Sequence, residues 1–468
     1  MEKEMEIKEN KMGVMPVNKL LVTMALPIVV SMLVQAFYNI VDSLYVSRAD
    51  PSGVASAAVN LAFTAQNFMI AVGTGTGVGI NALVSRALGE KNNRLANKIA
   101  ENGVFLAFCS YIVFLILGLT VVKPYYSVMN NDPAVVSAGV GYLTVCLCCS
   151  FGIYTELVFE RLMMATGKTI YTMYSQGIGA IINIVLDPVF IFKKGEGIFG
   201  IGVFGLGAKG AAIATVLGQI ISGIVAVLLH TFKNREVRTS FKGFRPSGSE
   251  IKKIYAIGVP SIIMASIGSV MYSGVNLILK SFKGIVTAAQ NVFGFYFKLQ
   301  SFVFMPVFGL NNGLIPIVSY NYGAGNRKRI LKTVKFGCLY ATIIMAAGTL
   351  AFQLIPDKLL GLFGEAVDLS IGVPALRIIG LCFLFAGFGI VLSSVFQSFG
   401  HGFMSMMVSI ARQLLILLPV AYLMSLTGNV RNVWLAFPIA ELVSMAVSLM
   451  FYAKLYKKEI RNIPDGNE

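Results

Sequence analysis

Long apolar runs, divided by short charged or Gly/Pro-rich breaks, recur along nearly the whole chain. The first, from about Leu20 to Val46, is long enough to cross a bilayer, which takes about 20 apolar residues. Reading the runs against their breaks predicts twelve spans, near 20–46, 54–82, 98–121, 135–158, 170–192, 208–231, 254–280, 286–316, 333–355, 370–397, 404–427 and 433–455. Composition agrees: 56% of the 468 residues are hydrophobic and 13% charged, where a soluble domain carries about 25% charge. The fold class expected is an all-α integral membrane protein.

The spans repeat. Pro27 in span one and Pro260 in span seven are 233 residues apart, as are Gly167 and Gly400, while Gly89 and Gly323 are 234 apart. GINALVSRALGEKNNR, ending span two, resembles GLIPIVSYNYGAGNRK, ending span eight, and LDPV at 186–189 matches LLPV at 417–420. Spans one to six and seven to twelve are therefore two copies. An even number of spans per copy gives both the same orientation, the parallel-repeat pattern of transporters, with a cavity between the halves. The divisions expected are an N-terminal tail (1–19), an N-terminal six-helix lobe (20–231), a basic linker (232–253), a C-terminal six-helix lobe (254–455) and a C-terminal tail (456–468).

A net charge of +16 would suggest nucleic acid in a soluble protein. Here the basic residues fall mostly in short loops and report topology instead. With the N-terminus inside, 27 lysines and arginines fall on the inner segments, Arg161 and Arg412 among them, against 10 on the outer ones. Both termini are expected in the cytoplasm of a multi-pass protein of the cell membrane. Lipids are expected partners and nucleic acid is not. The polar N-terminus leads into a full-length span and does not read as a cleaved signal.

Polar groups inside the spans are the candidate chemistry, because an acid at the bilayer centre costs about 2.5–3.5 kcal/mol on insertion scales. Span one carries Asp42, with Gln35, Tyr38 and Asn39 on the same helical face. Span five carries Asn183 and Asp187, four residues apart and thus adjacent, before Pro188, which frees the carbonyl of Ile184. Thr215 of span six could add a hydroxyl. Counting back from the span ends at 1.5 Å per residue puts Asp42, Asp187 and Thr215 at a similar depth, roughly 6–11 Å below the outer boundary. Two carboxylates in a poorly solvated pocket need a proton or a cation between them. The alternative is that Asp187 caps backbone freed near Pro188 while Asp42 snorkels to the surface. The repeat aligns Asp42 with Val275 and Asp187 with Leu418, so the acids belong to the first copy alone.

Further charges lie in the second copy. Lys298 falls within span eight, and Arg377 and Glu441 in the outer parts of spans ten and twelve. A Lys298–Glu441 ion pair is one expectation, since buried charges pair; a coupling or substrate role is the other. Glu156, Glu160 and Arg161 are expected at the cytoplasmic end of span four, as an interfacial salt bridge or gate, with ligand binding the alternative. In span two, Gly73 with Gly77 and Gly75 with Gly79 read as small-residue pairs for close helix packing. The six cysteines all lie in apolar runs without CxxC spacing, and two histidines complete no metal pattern, so packing roles are expected.

The opening ALPIVVSMLVQAFYNIVDSLYV, the NIVLDPVF of span five and the GAGNRK after span eight together resemble the multidrug and toxic compound extrusion (MATE) family, in its bacterial branch with acids in the N-terminal half. The likeness covers nearly the whole chain. It implies export of amphipathic, often cationic small molecules in exchange for protons or sodium ions. It also implies a coupling cluster of Asp42, Asn183, Asp187 and Thr215, which would hold the sodium ion, with Gln35 and Tyr38 facing the drug cavity. Gly268 stands where another branch has a span-seven glutamate, which removes a sodium site of that type. The mechanism expected is antiport by alternating access, with span one repacking or bending at Pro27 once the acids are neutralised. A monomer without cofactors is expected. A flippase of lipid-linked sugars is the rival; it would show extra spans or several cavity arginines. A membrane-embedded enzyme would need a metal cluster or a Ser/His pair that the spans lack.

Overall fold

In the computed structural model the described residues are 10–50, 52–196, 200–240, 242–363 and 368–465. Ten helices are long and apolar enough to cross a membrane, and two bent pairs bring the number to twelve. Spans one to three are Val17–Ala49, Val54–Gly89 and Asn93–Thr120. Span four is the pair Pro133–Cys148 and Phe151–Ala165, bent by 43°. Spans five to nine are Thr169–Ile191, Ala208–Lys233, Gly248–Leu279, Val286–Gly323 and Arg327–Leu354. Span ten is again a pair, Leu369–Gly380 and Phe383–Ser398, bent by 46°. Spans eleven and twelve are Gly402–Ser425 and Ala436–Lys458. Among the described residues there is no strand beyond isolated bridges from Lys193 to Val203 and Phe204.

The repeat extends to helix ends, where first-turn N–H groups need acceptors. Asn92 caps span three by accepting from the Leu95 N–H at 2.9 Å, and Asn326 caps span nine by accepting from the Arg329 N–H at 3.1 Å. Asp132 and Asp368 do the same for the two bent spans, each accepting at 2.9 Å from the N–H two residues on. Short helices, Val122–Met129 and Pro356–Gly361, precede the bent spans in each copy. Pro27 and Pro260 lie inside unbroken helices. Ser31 Oγ donates to the Pro27 carbonyl at 2.9 Å.

Glycines set how the halves meet. The four glycines of span two face two partners, as the pairing predicts. A Cβ on Gly73 or Gly77 would stand 2.6 or 2.7 Å from Leu157 or Arg161 of span four. A Cβ on Gly75 or Gly79 would stand 2.5 or 2.3 Å from Ile262 or the Ile254 carbonyl oxygen of span seven. At the end bearing both chain ends, a Cβ on Gly89 would stand 2.0 Å from the Tyr320 oxygen, and one on Gly323 2.1 Å from the Arg86 oxygen. Only glycine lets the two repeat-related helix ends approach so closely.

Span one connects the lobes. Leu20, Leu21, Met24 and Ala25 pack in the core built mainly by the second copy, while Val46 packs in the core of the first. The linker is strapped to span three: the Arg238, Ser240 and Ser247 N–H groups donate to Asn97, Glu101 and Asn102.

The structure adds detail at the chain ends and linker. Within the expected 1–19 tail, Lys11–Val14 is a helix and Met12 is fully buried, its carbonyl accepting from Asn321 and Arg329. The last span continues into the expected 456–468 tail, where Asp465 pairs with Arg327 at 2.8 Å. Span seven begins at Gly248 and so shortens the linker. Residues 1–9, with Lys3 and Lys8, and residues 466–468 lie outside the described residues.

Candidate functional site: a cavity between the lobes and an acid cluster beside it

A cavity of about 740 Å³ lies between the lobes and draws its wall from both. Gln35 and Tyr38 of span one, Asn183 of span five and Thr215 of span six line it. Asp187, one helical turn beyond Asn183, is fully buried behind this wall. With its amide oxygen toward Thr215, Asn183 accepts from the Thr215 hydroxyl and N–H, each at 3.2 Å, and its amide nitrogen donates to Asp187 Oδ2 at 3.2 Å. The close approach of spans five and six follows from small residues: a Cβ on Gly179 would stand 2.8 Å from Ser222 Cβ, and one on Gly218 2.8 Å from the Gly179 oxygen.

Asp42 stands on span one, which packs along span five, the helix of Asn183 and Asp187. Asp42 Oδ1 is buried and has no hydrogen-bond partner among the described residues. A buried carboxylate oxygen without a donor is costly, and it is where a proton or a cation would be held. The polar side chains that spans one, five and six supply here are two carboxylates, a hydroxyl and an amide whose N–H is turned to Asp187. That set suits a hard monovalent cation or a proton; among the described residues no three His, Cys, Asp or Glu side chains are grouped so as to hold a metal ion.

Asn39 is a correction. It shares the helical face of Gln35 but is exposed and stands outside the cavity wall; its carbonyl accepts from Ser43 Oγ at 2.9 Å. The polar stripe therefore reaches the cavity through Gln35 and Tyr38 alone.

The second-copy charges are rearranged too. Glu441 does line the cavity, but its partner is Arg412, with Nη1 donating to Oε1 at 2.8 Å, and not Lys298. Lys298 is exposed and sits over the rings of Phe295 and Phe363, at 6.0 and 5.9 Å from their centroids. Arg377 is exposed and away from the cavity, its carbonyl accepting from Gln353. Arg412 is no loop residue: it stands on a π-helical segment, Ala411–Leu417, inside span eleven. Such segments shift the register of a helix by one residue and gather at functional sites. The signal was present in the sequence, because Arg412 falls eight residues into the predicted 404–427 span.

Glu156, Glu160 and Arg161 stand on the cavity wall and not at an interfacial end of span four. Span four runs to Ala165. Glu156 accepts from Ser222 Oγ at 2.6 Å, and Glu160 accepts from Gln176 Nε2 at 2.9 Å and Ser175 Oγ at 3.2 Å. Arg161 Nη1 donates to Asn312 Oδ1 of span eight at 2.8 Å, which ties the lobes together. Taking Arg161 and Arg412 from the inner loops leaves 25 basic residues there against 10, so the bias survives.

The comparisons with known proteins agree with this architecture. The MatE family profile matches residues 27–189 and 257–423, one stretch in each copy. The multidrug export protein MepA of Staphylococcus haemolyticus is 24% identical over 440 residues, covering 93% of each chain. A multidrug resistance MATE family transporter of the MOP superfamily, solved in an outward-facing conformation, superposes with a TM-score of 0.85 at 25% identity, covering 94% of this chain and 97% of that one. A crystal structure of MATE in the straight conformation gives a TM-score of 0.87 at 24% identity, covering 96% and 99%. With both copies matched and the twelve-span fold shared, the chain belongs to the MatE family.

Proposed function

We propose that this protein is a cation-coupled antiporter that exports amphipathic, often cationic small molecules, using Asp42, Asn183, Asp187 and Thr215 as its ion site. The observation that carries the reading is the orphaned, buried Oδ1 of Asp42, on a helix packed along the one that carries buried Asp187. Two such carboxylates cannot both stay charged and unpaired at low dielectric. A proton or a sodium ion held there relieves the repulsion, and it is bound best in the conformation that brings spans one, five and six together. A cation bound differentially shifts the balance between conformations by that difference in affinity.

Substrate occupies the cavity between the lobes. Its wall is mostly apolar, with methionines and phenylalanines that repack around varied ligands. Carboxylates of Glu156, Glu160 and Glu441 outnumber the two arginines, each of which already has a partner. That balance favours a cationic ligand over the pyrophosphate of a lipid-linked sugar. Span one links the two events, because its first half packs with one lobe and its second half carries Asp42 in the other. Pro27 lacks the N–H that would bond the Thr23 carbonyl, so the helix is soft just where the two halves join.

The excess of basic residues at the end bearing both termini supports a cytoplasmic location for that end. The glycine contacts that join the lobes lie there too, as in an exporter open to the outside. The deciding experiment is dye uptake into proteoliposomes with proton and sodium gradients imposed separately. Uptake driven by one of them, and lost in Asp42→Asn, is the expected result. Sodium-independent uptake removes the sodium version, and undiminished gradient-driven uptake in Asp42→Asn overturns the assignment.

A further inference from the structure

Resting on the export reading above, we infer that Arg412 forms a carboxylate-recognising subsite in the cavity, so that the protein takes zwitterionic amphiphiles as well as simple cations. The Arg412–Glu441 pair lines the cavity wall inside the membrane, where a charge without a use is costly. A guanidinium carries five N–H donors in a planar fork. Among the described residues Arg412 spends one hydrogen bond, from Nη1 to Glu441 Oε1. Its Nε–Nη2 edge has no partner there, and that edge is the shape a carboxylate fills with two parallel bonds.

The surroundings fit a ligand with two opposite ends. Arg161, the other cavity arginine, donates to Asn312 and runs its stem along Gly77, so it is held in the joint between the lobes. Arg161 keeps a buried Nε without a partner, but its stem is packed on Gly77, whereas Arg412 on the cavity wall is bonded, among the described residues, only to Glu441. The first lobe contributes Glu156 and Glu160 to the same cavity. A zwitterion lying across it places its cationic end against these carboxylates and its carboxylate on Arg412. Glu441 then plays two parts. It neutralises Arg412 in the empty cavity, and it competes with the incoming carboxylate.

Rhodamine 19 and rhodamine 6G make a matched pair of probes. Both are xanthylium cations; rhodamine 19 bears a free benzoate, and rhodamine 6G is its ethyl ester. Their affinities for the purified full-length protein are measured by fluorescence anisotropy at a pH where the benzoate is ionised, and the readout is the ratio of the two. Arg412→Gln should lower the ratio for rhodamine 19 over rhodamine 6G about tenfold, the usual size of a lost charge-assisted bond. Arg412→Lys, which keeps the charge but loses the fork, should lower it by less. Glu441→Gln should raise it. If Arg412→Gln does not fold, the other two variants carry the test. A ratio unmoved in every variant overturns the subsite, as does a ratio that falls in Glu441→Gln. If the wild-type protein binds neither dye, the export reading fails and this subsite fails with it, whereas tight binding of rhodamine 6G with an unmoved ratio overturns the subsite alone.

Discussion

The corresponding corners of the two lobes were built from one repeat and have opposite chemistry. In the first lobe, span one with Asp42 packs along span five, where Asn183 hydrogen-bonds both Asp187 and Thr215 of span six. The second lobe keeps the same geometry. A Cβ on Gly274 of span seven would stand 2.7 Å from Leu418 Cδ2 of span eleven, so these two helices also meet at this depth. Yet the residues there are Val275, which is fully buried, and Leu418, and the contact is apolar. The repeat fold needs a close helix contact at this place; it does not need acids. The second lobe puts its intramembrane charge elsewhere, at Arg412 and Glu441 on the cavity wall, and pairs it internally. One lobe therefore leaves a buried carboxylate oxygen without a partner among the described residues, while the other pairs its charges with each other.

Substitutions can break or sharpen this contrast. Asp42→Asn should have the largest effect, abolishing gradient-driven dye uptake in proteoliposomes, while Val275→Asn at the related position leaves the ion dependence of uptake in place. If both variants behaved alike, the lobes would not differ as described. Val275→Asp places an unpaired acid in the apolar contact and should cost about 2.5–3.5 kcal/mol. A lowered unfolding temperature in detergent would report it, and a wild-type melting curve would mean that the second lobe tolerates acids too.

The next test probes where the lobes are alike. Gly89→Val and Gly323→Val each push a side chain onto a backbone oxygen of the other lobe, at 2.0 and 2.1 Å from the Cβ position. Both should hold the terminal end apart and slow export to a similar degree. Spin-label distances across that end should lengthen in both; lengthening in one alone would show that the repeat is not used symmetrically. Within the cluster, Asn183→Ala removes the N–H that steadies the charged form of the buried Asp187 carboxylate, so a coupling proton should be held more tightly, by roughly tenfold. Thr215→Val removes a neutral hydroxyl, worth about 1 kcal/mol, and should shift the half-saturating ion concentration by only a few fold. Titrating uptake against the driving ion orders the two.

Much of this was legible in the chain, for identifiable reasons. A bilayer forces every spanning helix to announce itself as an apolar run, so all twelve spans could be drawn, and the prediction that span two's glycines act in pairs follows from helical spacing alone. Asn183 and Asp187 are four residues apart on one helix, which made their contact a local question. Errors arose where a charge near a predicted span end had to be put on one side of a boundary. Glu160 and Arg161 looked interfacial because span four was drawn short, yet the helix runs to Ala165. Asn39 shares a helical face with Gln35, but a face is broader than a cavity, and Asn39 falls beyond its edge.

The sequence by itself determined the membrane class, the duplication and the restriction of Asp42 and Asp187 to one copy, because hydropathy, spacing and repeat alignment are properties of the chain alone. Tertiary structure alone decided which polar groups meet. Arg412 and Glu441 are on different helices 29 residues apart, Arg161 finds Asn312 151 residues away, and Thr215 reaches Asn183 across two packed helices. Partner choice between helices depends on their rotation and separation. Those are set by glycines at the contacts and by the π-helical turn in span eleven, and neither leaves a hydropathy signal in the chain.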